Sequence, residues 1–296
     1  FFFFHKVDDK KSYSFFWLSK ETSILINNWF MMYFLSVVLI GTVYPIFLDV
    51  ISSQKISVGP PFYHKLIIPF LIPFLLMMAI GPKLKWIKSQ LEDKIYLISF
   101  FIISILLSFL ILKNFSHNIL INTILISSSL YLFFITFREF FTKKFKNISQ
   151  NIAHFGFSLL ILGILFNNLF SSEIITNLKV GESFENSKIK IVFESVKQKK
   201  EKNYNAIIAN FYVSNSSGEV DRFSPELRIY NQPVIATSEA DIKTTIMSDK
   251  FIVINLVQNQ DFFNVRYQVK PFMLWIWLSV VLISFGGLLS FLKKKT

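Results

Sequence analysis

The sequence predicts a polytopic α-helical membrane protein with a small extracytoplasmic β-rich domain inserted before its last transmembrane helix. Three observations carry that expectation. Apolar residues make up 52% of the 296 and the mean hydropathy is +0.48, above what a soluble domain of this length shows. Apolar runs recur at the roughly 17–25 residues needed to cross about 30 Å of hydrocarbon. Between 171 and 271 the character changes to short β-branched and aromatic runs, with thirteen basic and twelve acidic side chains.

The net charge is +12, and its distribution is more informative than its sum. Segments 5–28, 81–95 and 138–152 and the C-terminal tail hold fifteen Lys and Arg, against three in the short loops 49–65 and 113–118. That asymmetry places the basic segments inside and the other loops outside. A nucleic-acid footprint would need the same charges gathered on one soluble face, so no nucleic-acid partner is expected. The chain has no cysteine, which excludes disulfides, thiolate metal sites and thiol exchange within it. The 36 Phe, used beside many Ile, Lys and Asn, reflect AT-rich codons and are given no functional weight.

The chain opens on Phe1-Phe2-Phe3-Phe4 and His5-Lys6, which reads as the last turn of a helix whose beginning is missing. A C-terminal part of a longer protein is expected. A cytoplasmic linker over 5–27 carries Ser19, a candidate helix cap, and Glu21, suited to a helix's positive end. The first span is expected over 29–47, interrupted near its outer end by Gly41-Thr42 and Tyr44-Pro45. In the outer loop, Gly59-Pro60-Pro61 predicts a rigid turn on the membrane surface, with His64 at its end.

The second span, 66–80, contains Pro69 and Pro73 and returns inside at Gly81-Pro82, with Trp86 as an interface anchor. Spans three (95–112) and four (119–137) are apolar all round with scattered serines, which suits close helix packing. His117 lies in the turn between them. The fifth span, 153–170, carries His154. The domain over 171–271 is expected to contain strands at 189–193, 207–213, 251–257 and 265–269, with a hairpin-like turn at 214–218. The last span and basic tail, 272–296, start with Trp275 and Trp277 at the outer interface. No repeat with a period of 20–50 residues is visible.

His154 is the one histidine inside a span, and ionisable groups there usually face a partner, a cavity or a cofactor. Without a phosphate loop, paired carboxylates or a metal-spaced cluster, three roles stay open. They are a haem axial ligand, a proton relay member, and a structural hydrogen-bond donor. No catalytic residue is identified.

Several motifs in order carry a family resemblance: Ser19-Lys20-Glu21 with Asn27-Asn28, Gly41-Thr42-Val43-Tyr44-Pro45, and Ser57-Val58-Gly59-Pro60-Pro61-Phe62. Then come Gly81-Pro82 before Trp86, Ala153-His154-Phe155-Gly156, Gly181-Glu182, Asn203-Tyr204, Pro225 to Tyr230, and Lys270-Pro271 before Trp275-Ile276-Trp277. Together they resemble the C-terminal half of the CcmF family, the haem lyase subunit of cytochrome c maturation. Lys20 stands where that family usually has Arg.

The resemblance implies a cytochrome c haem lyase component that joins haem vinyl groups to apocytochrome thiols on the outer face. It implies that His154 is an axial ligand of a resident haem b acting as an electron relay, its partner histidine lying in the N-terminal half. The implied partners are that N-terminal half, without which activity is not expected, a periplasmic haem chaperone, a thiol-handling partner and apocytochrome c, with quinol as electron donor. Membrane lipid surrounds the spans. Arg228 and Tyr230 are the candidate docking residues, and Gly59, Pro60, Pro61 and His64 a candidate outer-surface loop. The implied location is a bacterial or mitochondrial inner membrane, with 171–271 outside and the C-terminus inside. Two other readings remain: a small-molecule transporter built on Pro- and Gly-broken helices, and a non-catalytic assembly subunit of a split lyase.

Overall fold

The structure, a computed structural model, describes residues 19–52, 56–86, 94–115, 119–142, 148–215, 218–257 and 261–293. The linker before Ser19, His117, Ser216, Ser217 and the tail beyond Lys293 lie outside the described residues. Six helices are long and apolar enough to cross a membrane: α1 (Lys20–Ser52), α2 (Pro60–Ile80), α3 (Lys94–Leu112), α4 (Ile119–Thr142), α5 (Ile148–Phe170) and α6 (Met273–Lys293). The protein is an integral membrane protein.

Two local expectations are corrected. Gly41-Thr42 and Tyr44-Pro45 do not interrupt the first span, because α1 continues through them to Ser52. Proline's fixed φ is itself helical, so its cost is a missing N–H donor and crowding, which one continuous helix absorbs. Gly41 serves close packing instead: a Cβ there would lie 2.6 Å from the Tyr63 hydroxyl on α2. Nor do Pro60 and Pro61 form a surface loop. Gly59 is the N-cap of α2, the two prolines open the helix, and His64 sits in its first turns. The first turn has no use for backbone N–H groups, which is why proline is favoured there.

In the helical unit, α4 is the hub. Every residue from Leu125 to Leu132 is buried, and a helix buried all round belongs to the core of a bundle. Ser127 and Ser128 keep their hydroxyls satisfied by donating to carbonyls one turn back, each at 2.9 Å. Between α5 and α6 the packing depends on missing side chains. A Cβ on Gly156 would lie 3.0 Å from the Ile283 backbone nitrogen, and one on Gly286 would lie 2.7 Å from that of Ala153. Small residues let membrane helices approach this closely.

Gly286→Ala is therefore expected to destabilise the α5–α6 contact by about 1–3 kcal/mol, the usual cost of overpacking, because the obstructing atoms are largely backbone. Gly287→Ala meets nothing within 4 Å and is expected to be neutral or stabilising. Thermal unfolding in micelles separates them; equal midpoints for the two variants would refute the packing argument.

The other compact unit, Gly163–Ser279, is built around two antiparallel sheets. The first runs β1 (Ser172–Leu178), β10 (Phe263–Pro271), β9 (Ser248–Leu256), β8 (Asp241–Thr244) across the sheet. The second runs β2 (Ser183–Glu185), β3 (Ile189–Lys200), β4 (Tyr204–Asn215), β6 (Glu226–Tyr230), β7 (Ala236–Glu239), with β5 (Val220–Phe223) also on β4. Alternate residues point inward, as the period of two demands. Ile191, Phe193, Phe211, Ile252, Ile254 and Val265 form the core shared by both sheets, and the Phe193 and Phe211 rings stack at 4.5 Å.

All four expected strands are present, and most are longer than expected. The turn after β4 closes as a hairpin into β5, where Gly218 adopts φ +84° and donates its N–H to the Asn215 carbonyl at 3.0 Å. That conformation is nearly free of cost only for glycine.

Candidate functional site

Helix α5 presents four successive residues in four directions, as 100° per residue requires. Phe155 packs on Phe133 and Phe140 of α4, with ring centroids 5.2 and 5.4 Å apart. Gly156 faces α6, and Phe157 meets Phe74 of α2 edge-on at 5.8 Å. His154 takes the remaining direction and lines a partly open cavity of about 200 Å³. The facing wall comes from α1 and the end of α2, through Ser23, Ile24, Asn27, Met77, Met78 and Gly81.

The cavity's shape follows from how α1 begins. Ser19 caps it: its hydroxyl accepts the Thr22 N–H at 3.3 Å and lies 3.0 Å from the Thr22 hydroxyl, satisfying a donor that the helix leaves open. The first turn then docks on the chain leaving α2. The Lys20 N–H donates to the Lys85 carbonyl at 3.2 Å, and the Lys20 ammonium lies 5.3 Å from the centre of the Trp86 ring. Gly81 permits this approach, since a Cβ there would overlap the Ser23 hydroxyl.

One residue beyond Pro82, which lines the cavity, begins a group that sequence reading missed. The Lys83 ammonium pairs with the Glu139 carboxylate near the end of α4, and both side chains are almost fully buried. The neighbouring Arg138 guanidinium stacks 3.7 Å from the centre of the Tyr96 ring. Lys83 reads from sequence only as one of many topology charges. The available signal was Glu139, the sole acidic residue between Asp93 and Glu173.

His154 makes no hydrogen bond among the described residues, so its ring nitrogens remain available in a cavity with apolar Ile24, Met77 and Met78 beside them. Neutral imidazole in such a setting suits iron. The side-chain chemistry on this wall is of the kind that would ligate haem iron through a single imidazole. Among the described residues no group of three or more His, Asp or Glu could hold a metal ion by itself.

The other sequence candidates lie elsewhere. His64 is in the first turns of α2, whose far end carries Gly81, about 25 Å away at 1.5 Å per residue. Arg228 and Tyr230 share β6. Arg228 pairs with Glu226 at 2.8 Å, lies 5.1 Å from the Tyr204 ring centre, and bonds to Tyr230, contacts that together hold its guanidinium well above the ordinary range. Tyr230 packs on Tyr204 across the strand pair at 5.4 Å.

Six membrane-length helices, with a two-sheet domain inserted in sequence between the last two, define an integral membrane protein with a β-sandwich insert. Residues 169–271 match the family described as the CcmF C-terminal beta-sandwich. The chain is 27% identical over 298 residues to the cytochrome c-type biogenesis protein CcmF of Pseudomonas fluorescens, covering 94% of this chain and 44% of that one. With CcmF of Escherichia coli the identity is 26% over 280 residues, covering 92% and 43%. A solved cytochrome c heme lyase CcmF shares the fold with a TM-score of 0.72 at 20% identity, over 92% of this chain and 46% of that one. The chain resembles the C-terminal part of CcmF along nearly its whole length and spans under half the length of these relatives.

Proposed function

We propose that this chain supplies the C-terminal, membrane-embedded part of a cytochrome c haem lyase, which attaches haem covalently to apocytochrome c. The observation that carries this reading is the likeness to CcmF through 94% of the chain. His154, which has no hydrogen-bond partner among the described residues and faces its cavity, supports a haem site within it.

In this reading His154 would hold the iron of a resident haem b, with a further ligand expected from the part of the relatives that this chain does not cover. When bound, such a haem would supply one-electron transfer toward the incoming haem iron, with quinol as the reductant. The chain's own work is positional. Phe155 and Phe157, packed on opposite neighbours, fix the rotation of α5, and Ser19 and Gly81 keep α1 close enough to wall the cavity. With no cysteine in the chain, the thiols come from the apocytochrome, presented by a thiol-handling partner, while haem arrives from a haem chaperone. The two-sheet domain receives these partners on the outer side, with Arg228 and Tyr230 as docking residues.

The sidedness has support in the contacts. Lys20 meets Lys85, and Lys83 meets Glu139 beside Arg138, so three of the four basic segments converge at one end of the helical unit. Positive charge marks the cytoplasmic end.

The test is a reduced-minus-oxidised absorption spectrum of the chain, purified together with the polypeptide covering the rest of its relatives' length. A b-type signal present in the parent and lost in His154→Ala, with assembly intact by size exclusion, is the expected outcome. A signal unchanged in the variant would remove His154 from the haem site.

A further inference from the structure

The hairpin joining β8 to β9 breaks the ordinary rule for turns. Tight turns favour Gly, Asn, Asp, Ser and Pro, which supply the backbone conformations or hydrogen bonds a reversal needs. Here the flanks obey: the Thr245 hydroxyl donates to the Ser248 carbonyl at 2.7 Å and accepts the Ser248 N–H at 3.1 Å. The tip does not. It is Ile246-Met247, and the two residues are 65% and 63% exposed. A local violation without a packing reward calls for a functional cause.

The position of the tip supplies one. The Trp275 indole N–H donates to the Ile246 carbonyl at 3.0 Å, and the Phe272 N–H donates to the Met247 carbonyl at 2.8 Å. Phe272 holds φ +62°, a left-handed conformation costly for a bulky residue, at the junction where β10 becomes α6. The tip is thus tied to the first turn of a membrane helix. That helix has 21 residues, about 31 Å at 1.5 Å per residue, against about 30 Å of hydrocarbon. It has no surplus turn, so its first turn lies at the membrane boundary and the hairpin tip lies at the same level.

We infer that Ile246 and Met247 insert into the lipid surface, making the β8–β9 hairpin a second membrane contact of the β domain beside its two helical stalks. The partner is the acyl layer just beneath the headgroups, where Trp275 and Trp277 belong as amphipathic anchors. This inference rests on the membrane span alone and is independent of the haem reading.

The absence of cysteine makes the test direct. Met247→Cys carries a nitroxide in lipid nanodiscs, with the chain assembled with the polypeptide that completes its relatives' length. Leu256→Cys serves as control: it is also exposed but lies at the opposite end of β9, roughly 30 Å away at about 3.3 Å per residue. Electron paramagnetic resonance is expected to show the 247 label relaxed more by oxygen than by a water-soluble nickel chelate, with the reverse at 256. A 247 label relaxed mainly by the nickel chelate would overturn the inference, since the tip would then be in water. A label shielded from both relaxants would overturn it as well, since the tip would then be covered by protein.

Discussion

Lys83→Met, with Glu139 left in place, is expected to cost the helical unit about 3–5 kcal/mol, the usual penalty for stranding one charge of a buried pair. Both side chains are almost completely removed from solvent, so neither charge recovers its hydration when the other is lost. Glu139→Gln should be milder than Lys83→Met, because a neutral amide can still accept a hydrogen bond from the ammonium. The double variant Lys83→Met/Glu139→Leu should recover much of the loss, since well-packed apolar replacements of buried pairs are often neutral. Chemical unfolding in micelles measures all three. A double variant no more stable than Lys83→Met alone would show that shape, and not stranded charge, sets the cost.

Phe193→Ala is expected to destabilise the β domain by about 3–5 kcal/mol, the range for deleting a buried aromatic ring. Phe193 is fully buried, stacks on Phe211 at 4.5 Å and meets Phe263 edge-on at 5.5 Å. It therefore couples β3 to β4 within one sheet and to β10 of the other. Phe193→Leu, which keeps most of the volume, should cost clearly less. Near-ultraviolet circular dichroism during unfolding follows the loss; equal costs for the two variants would argue against packing of this ring as the cause.

The spans were legible because an unbroken apolar run of about 20 residues matches the thickness of a bilayer and little else. The fifth helix, which bears His154, was among them. Helix ends were less legible. The stretch 20–27 reads as the end of a linker because its charged and amide residues flank only three apolar ones, yet the cap expected at Ser19 is present and the helix starts directly after it. Gly59-Pro60-Pro61 reads equally well as a turn or as the opening of a helix, and only the residues that follow decide. In the β domain, the strands found from sequence are those whose own side chains form the core, such as Ile191 and Phe211. Ser183–Glu185 and Asp241–Thr244 have almost no apolar signal, and their extended form comes from pairing with β3 and β9. The cavity wall and the Lys83–Glu139 pair depend on contacts between distant segments, which periodicity does not encode.

The pairing of β1 with β10, from Ser172 opposite Val269 to Leu178 opposite Phe263, has a consequence for modularity. The chain enters and leaves the domain side by side, at the roughly 5 Å spacing of neighbouring strands, and the Asn167 amide clasps the Pro271 carbonyl where the two stalks meet. Such an insert behaves like a cassette. Its excision would leave two helix ends close enough for a short splice to rejoin, and grafting it elsewhere would require only a host loop with equally close anchor points.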